Sequence, residues 1–385
     1  QSADQLGYQF LKYAQRDGWA LRDLLRLSHP ITQDNSKNAL FKYMVSGEFP
    51  EGENILPLQV QVAASLNEDS SVQEVVQTVQ KSRLPREAIP NNFLQFPEVW
   101  EALLESMPMM ALVRNLGKMT QVGLLKPLSG AANQVVEKLT DPVALQKSRI
   151  HPINLLAAQV TYAQGHGFKG NLAWAPVQQV IDALDQAFYD SFKFVEPTNK
   201  RTLIGLDVSG SMNANIVNGM PFLKAREASA AMALVTARTE RNHHFMGFTG
   251  EFIPLNISPR MRLDSVIKSI SGLKFGRTDC ALPMLWALEN KVEVDTFIIY
   301  TDNETWYGKI HPIQALRKYR EVTGIPAKLI TCALTATKFS IGKSGSGRIL
   351  TGDPGCIADP NDKGMLDVAG LDSAAPQLIA NFSRE

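Results

Sequence analysis

The feature that most constrains this chain is a change of hydrophobic period at Glu196-Pro197. Before it, apolar residues recur at three- and four-residue spacing, as in Val72, Val75, Val76 and Val79, and in Val177, Val180, Ile181, Leu184 and Phe188. That spacing predicts amphipathic helices. Breaks fall at proline and glycine: His29-Pro30, Gly47 to Pro57, Leu84 to Pro90, Met107-Pro108, Lys126 to Gly130 and His151-Pro152. The outcome is about eight to ten short helices on short loops, which can stack as pairs, although no fixed repeat length is visible. After the change, short apolar runs at Thr202 to Asp207, His244 to Phe248, Thr296 to Tyr300 and Ala327 to Ala333 alternate with helical stretches. Those stretches run from Phe222 to Glu240, Leu282 to Leu288 and Pro312 to Thr323. Buried strands alternating with helices predict a mostly parallel sheet covered on both faces. Ligands of such sheets sit beyond the carboxyl ends of the strands.

The charge balance narrows function. Residues 1–195 carry 17 Lys plus Arg against 19 Asp plus Glu, and the remainder carries 22 against 19. Neither half has the basic excess typical of nucleic-acid binders, so any grip on phosphate must come from a local cluster. No apolar run approaches the ~20 residues of a membrane span. The three cysteines, Cys280, Cys332 and Cys356, form neither a disulfide framework nor a zinc spacing, which fits a reducing, cytoplasmic setting. The first residues read as a helix already under way, so sequence N-terminal to Gln1 is expected.

The first strand of the second half ends in Asp207-Val208-Ser209-Gly210-Ser211. Three oxygen-bearing side chains at alternating positions can face one point, and Gly210 permits a tight turn. Asp302 follows the strand at Thr296 to Tyr300, and Thr278 offers a further hydroxyl from Gly276-Arg277-Thr278-Asp279. Three strand-end loops would thus converge on a hard divalent cation, most suitably Mg²⁺. This resembles the metal-ion-dependent adhesion site (MIDAS) of von Willebrand factor A domains. The resemblance implies Asp207, Ser209, Ser211, Thr278 and Asp302 as the coordinating set, with hydroxyls direct, aspartates partly through water, and one position open to a partner's carboxylate. Serine-rich turns are common, and the plain alternative is that Ser209 and Ser211 cap the next segment. No nucleophile-and-base pair or HExxH motif accompanies the set.

Longer runs carry a more specific likeness. In the second half they are Thr278-Asp279-Cys280-Ala281-Leu282-Pro283-Met284-Leu285-Trp286, Thr301-Asp302-Asn303-Glu304-Thr305, Ile325 to Ile330 and Ala358 to Asp367. In the first half they are Asp23 to His29, Met107-Pro108, Arg114 to Thr120, Arg149-Ile150-His151-Pro152, Gly165-His166-Gly167 and Val195 to Thr198. These runs resemble the Ro autoantigen family of RNA-binding proteins, in order and over nearly the whole chain. The resemblance implies a multidomain α and α/β protein: a ring of helical HEAT-like repeats (the TROVE module) over residues 1–196, and a von Willebrand factor A domain over 197–385. It implies a bacterial orthologue, monomeric and not an enzyme. Y RNA would bind on the outer ring surface and single-stranded ends of misfolded noncoding RNA in the central cavity, in RNA quality control, with a nuclease or other protein as partner through the metal site. Complete members carry further helices before this start, and Phe339 to Cys356 departs from the vertebrate pattern as a longer loop.

Lys12 and Arg16 are four apart, hence neighbours on one helix face. Arg22, Arg26 and His29 share the next helical face, with Leu21, Leu24 and Leu25 expected toward the core. Such clusters hold phosphates, although charged faces are commonly just solvated and Asp17 and Asp23 dilute this one. The resemblance places Lys12, Arg16 and His29 at the family's Y RNA contact stretch. Lys118, Arg149, His151, His166 and Lys169 are weaker RNA candidates, and His151 before Pro152 reads foremost as a structural hydrogen-bond donor. Trp19 and Trp174 can stack on bases but are more often core. Gly342-Lys343-Ser344-Gly345-Ser346-Gly347 imitates part of a phosphate loop but lacks the earlier glycine, Thr337 standing there. The alternative function is a metal-dependent protein adaptor built on the Asp207 site.

Overall fold

The computed structural model describes residues 1–13, 18–50, 55–248, 252–273, 279–302, 309–336, 358–359 and 361–385, with the backbone of Gln15–Arg16. The chain forms two compact units, one of residues 1–137 and 172–180, the other of residues 138–171 and 181–385.

The first unit is helical. Its elements are α1 (Ala3–Lys12), a two-residue hairpin β1 (Gln15–Arg16) and β2 (Trp19–Ala20), α2 (Leu21–Ser28), α3 (Asn35–Ser46), α4 (Leu58–Ser65), α5 (Val72–Ser82), α6 (Pro97–Ser106), α7 (Met109–Gln121) and most of α8 (Gly130–Thr140). Their ends follow local chemistry. Ser71 Oγ accepts from the Glu74 N–H at 3.2 Å while the Glu74 carboxylate accepts from the Ser71 N–H at 2.7 Å, a reciprocal cap that starts α5. Gly47 ends α3 in the left-handed conformation (φ 75°). Leu40 and Val60 are buried in a small cluster flanked by Leu6, Phe10 and Tyr43. Trp100 is fully enclosed and donates its indole N–H to the Leu94 carbonyl at 3.0 Å. Trp174 lies on α7 at Gly117, where a Cβ would come 2.7 Å from its ring.

The second unit holds α9 (Pro142–Ser148), α10 (Pro152–Ala163), most of α11 (Gln178–Ser191), β3 (Thr202–Asp207), α12 (Ser211–Ala214), α13 (Ala225–Thr239), β4 (His243–Phe248), β5 (Phe252–Pro254), α14 (Leu263–Ser271), α15 (Leu282–Glu289), β6 (Thr296–Thr301), α16 (Pro312–Thr323), β7 (Lys328–Ala333), β8 (Met365–Ala369) and α17 (Ala375–Arg384). The sheet order is β5-β4-β3-β6-β7-β8, with every pairing parallel except β4 with β5. Leu203, Phe297, Ile299 and Leu329 bury one face together with Met284, Ala287, Leu316 and Tyr319 of α15 and α16. On the opposite face α13 packs against β3, β4 and β6. The expected α plus α/β class with a mostly parallel sheet is met. The edge strands β5 and β8 escaped the sequence reading: one has three residues and ends in Pro254, and the other interrupts its apolar run with Asp367.

Chain order around the sheet decides where a ligand can sit. From β3 the chain steps outward to β4 and later returns to β6 on the other side of β3. Two adjacent parallel strands whose connections leave in opposite directions open a crevice at their carboxyl ends. Asp207 ends β3 and Asp302 directly follows β6.

Candidate metal centre and nucleic-acid interface

Asp207 is 3% exposed and Asp302 8% exposed. Carboxyl groups at such depth need hydrogen-bond partners, and both have them. Asp207 accepts from the Ser209 N–H at 2.8 Å and from the Thr301 hydroxyl at 3.0 Å. Asp302 accepts from the Asn215 side-chain amide at 3.0 Å. The Ser209 and Ser211 hydroxyl oxygens stand 2.9 Å apart. Four of the five expected metal residues therefore surround one strand-end crevice, and Thr278 lies outside the described residues. The donor set fits a hard cation: it consists of oxygen alone, and the protein's own hydrogen bonds hold the carboxylates, leaving the hydroxyl pair to meet the ion. Arg226, in the first turn of α13, is buried beneath this loop and donates to the carbonyls of Val208 (3.2 Å) and Ser209 (2.8 Å). Desolvation lowers its pKa, and the Asp207 charge opposes that shift. A residue inside a helix pattern gives no sign in the sequence of holding a loop from below.

The cationic candidates are placed differently from the sequence reading. Helix α1 stops at Lys12, with Tyr13 as its cap, and Arg16 lies in the hairpin strand. The two are therefore not neighbours on one helix. The period was carried through a turn that Gly18, at φ 83°, completes. Lys12 is partly buried, its Nζ 5.6 Å from the centres of both the Tyr8 and Tyr13 rings. Arg22, Arg26 and His29 are exposed as expected. Leu24, expected in the core, is 57% exposed, and no residue of α2 is fully buried. Asp23 is turned to its own backbone, accepting from the Ala20 N–H at 2.9 Å.

His29 and Arg149 end α2 and α9 in the left-handed conformation (φ 42° and 51°). A cation there meets the negative end of the helix dipole, a structural reason for the residue type beside any contact with RNA; both side chains are exposed. Lys118 donates to Gln95 at 3.0 Å and Gln121 at 2.8 Å, and desolvation together with the Arg86 charge lowers its pKa. His151 acts as acceptor rather than donor: its Nδ1 takes the Ile153 N–H at 3.2 Å and starts α10, and desolvation brings its pKa down to about 4.

In the second unit, His166 and Lys169 are exposed on the loop after α10. The His166 ring meets Phe222 edge-on at 5.1 Å, and Phe168, 56% exposed, meets Phe222 at 5.7 Å. Phe222 is held at φ 66°, costly for a bulky residue. Its loop is pinned by Asn218, whose N–H donates to Leu334 O at 2.8 Å and whose side-chain amide donates to Ala336 O at 2.8 Å. Sequence reasoning passed over Phe168 and Phe222 because nothing local pairs residues 54 positions apart. Trp19 is exposed, against the core expectation, whereas Trp174 packs on Gly117.

Residues 201–383 match the Ro60 vWA domain and residues 78–161 the TROVE domain. The chain is 42% identical to RNA-binding protein RO60 of Deinococcus radiodurans over 382 residues, covering 99% of this chain and 69% of that protein. It belongs to the Ro family. With RNA-binding protein RO60 of Caenorhabditis elegans the identity is 37%, over 99% of this chain and 63% of that protein. The higher figure with the bacterial relative agrees with a bacterial Ro orthologue. The crystal structure of the Deinococcus radiodurans RO (RSR) protein superposes with a TM-score of 0.83, over 100% of this chain and 74% of that one. Among the described residues no helix is long and apolar enough to cross a membrane.

Proposed function

We propose that this Ro-family chain is a non-catalytic RNA-binding protein. The helical unit would hold small structured Y RNA through Lys12, Arg16, Arg22, Arg26 and His29. The loop bearing His166, Phe168 and Lys169 would meet single-stranded ends of misfolded noncoding RNA, in RNA quality control. The observation that carries the reading is the cationic side of α2, where Arg22, Arg26 and His29 stand exposed on a helix with no fully buried residue. Identity over 99% of the chain with a relative named as RNA-binding supports it. Buried Cys280 and Cys332, whose thiols desolvation pushes far above their usual range, are poor nucleophiles. That supports a role without thiol-based catalysis at these two positions. The test is an electrophoretic shift with a structured RNA bearing a single-stranded 3′ tail. Binding at low salt that falls steeply with added salt supports the reading, and no shift at low salt refutes it.

A second reading rests on the paired hydroxyls of Ser209 and Ser211 beside two buried carboxylates. Asp207, Ser209, Ser211, Thr278 and Asp302 would hold Mg²⁺, which supplies a Lewis-acidic position for a partner's carboxylate, such as that of a nuclease or another protein. Mg²⁺-dependent capture of a partner, lost on Asp207→Ala, is its signature. Both activities can coexist.

A further inference from the structure

The first turn of α13 holds both arms of the Asp207–Asp302 crevice. Ala225 donates its N–H to the Asn215 carbonyl at 2.9 Å, and Asn215 in turn donates its side-chain amide to Asp302. Arg226, the next residue, reaches the other arm, its Nη2 donating to the Val208 and Ser209 carbonyls. The turn itself is fixed by the Glu227 carboxylate, which accepts from the Lys224 N–H at 3.1 Å. Ser209 is thereby tied on both sides of its Cα. Its N–H donates to Asp207 and its carbonyl accepts from Arg226, which fixes the backbone from which its hydroxyl meets that of Ser211.

Arginine is a costly choice at this depth. Arg226 is 7% exposed, and its Nε is buried with no hydrogen-bond partner among the described residues. Its two acceptors are neutral carbonyls rather than a carboxylate, and a buried guanidinium without a paired anion lowers stability. What it supplies is precision, since one nitrogen spans two successive carbonyls of the loop that carries the hydroxyl pair. Precision separates two ions of equal charge. Mg²⁺ demands near-octahedral oxygens at about 2.0–2.1 Å, whereas Ca²⁺ accepts more oxygens, at about 2.3–2.6 Å, in flexible arrangements. A loop free to shift by about 0.4 Å would forfeit the first ion and keep the second. The Arg226 charge cannot make this distinction, because it repels any divalent cation alike.

We propose that Arg226 is a positioning residue that gives the Asp207 site a preference for Mg²⁺ over Ca²⁺. This rests on the metal-binding reading above and assigns its selectivity to a cationic residue, which cannot itself be a ligand. The test is isothermal titration of the full chain with MgCl₂ and with CaCl₂, read as the ratio of the two affinities. The unaltered protein is expected to favour Mg²⁺. Arg226→Met, which keeps the apolar stem, and Arg226→Gln should each lower the Mg²⁺-to-Ca²⁺ ratio about tenfold, as removal of a group that orients metal ligands does. Arg226→Lys keeps a donor for the two carbonyls and should hold the ratio within about threefold. The lost charge acts on both ions equally and cancels from the ratio, and a merely structural role would weaken both ions alike. Absence of an Mg²⁺ preference in the unaltered protein, or a ratio unchanged in Arg226→Met or Arg226→Gln, overturns the proposal. So does failure of both variants to fold, which would make Arg226 a residue of the fold and not of ion choice. The two readings fail separately: if the unaltered protein binds neither ion, the metal-binding reading falls; if it binds Mg²⁺ and the ratio survives substitution, that reading stands and only the role of Arg226 falls.

Discussion

At the scale of single residues, two positions turn geometry into measurable stability. His151 caps α10 through an unprotonated Nδ1, and its folded pKa of about 4 lies below the ordinary 6.5. The unfolded chain takes up a proton first as pH falls, so the stability His151 contributes is full above pH 6.5 and is lost progressively as pH falls from 6.5 to 4. The loss should amount to about 3 kcal/mol, read as a falling denaturant midpoint. His151→Asn, which keeps a capping acceptor, should flatten the curve in that window. Gly117 is the second position. A methyl group there enters the Trp174 ring at 2.7 Å, and neither a helix backbone nor a packed indole yields cheaply. Gly117→Ala should destabilise by about 1–3 kcal/mol, and an unchanged melting temperature would show that the ring moves freely.

At the scale of elements, the strand-end place of the acidic and hydroxyl-bearing loop was readable because its sequence signal is local. Asp207, Ser209 and Ser211 sit within five residues at the end of an unmistakable apolar strand, and the crevice between β3 and β6 follows from strand order. Asp302 was readable for the same reason. Arg226 was not, because support from below is a tertiary fact, and neither was the Phe168–Phe222 pair. The Lys12 and Arg16 error has another origin: helical spacing cannot reveal that α1 ends at Lys12 and the chain turns back through a hairpin. Leu24 failed as a core residue because amphipathicity tells which side is apolar, not that something covers it. If the hydroxyl pair holds Mg²⁺, millimolar Mg²⁺ should raise the melting temperature of the unaltered protein by mass action. Asp207→Asn should abolish that rise while retaining an acceptor for the Thr301 hydroxyl, and an equal rise in the variant would place the ion elsewhere.

At the scale of the whole chain, near-neutral charge is the constraint that any RNA-binding account must satisfy. The helical first 195 residues carry two more acids than bases, so a diffuse positive field cannot be the source of affinity. A few exposed cations must supply it. Arg22 and Arg26 make no described hydrogen bond that would hold the fold, the Arg22–Asp23 approach being 3.9 Å on the surface. Replacing both with alanine should change stability by less than about 0.5 kcal/mol each, which makes them clean probes.

The decisive measurement is therefore the salt dependence of RNA affinity for the unaltered protein and for the Arg22→Ala, Arg26→Ala double variant, using one structured RNA with a single-stranded 3′ tail. Each phosphate contact contributes about −0.9 to the slope of log affinity against log salt. Four or so contacts predict a slope near roughly −3 to −4, and the double variant should be shallower by about 2. A slope unchanged by the double substitution, or an affinity indifferent to salt, would contradict a local cationic grip on a neutral body.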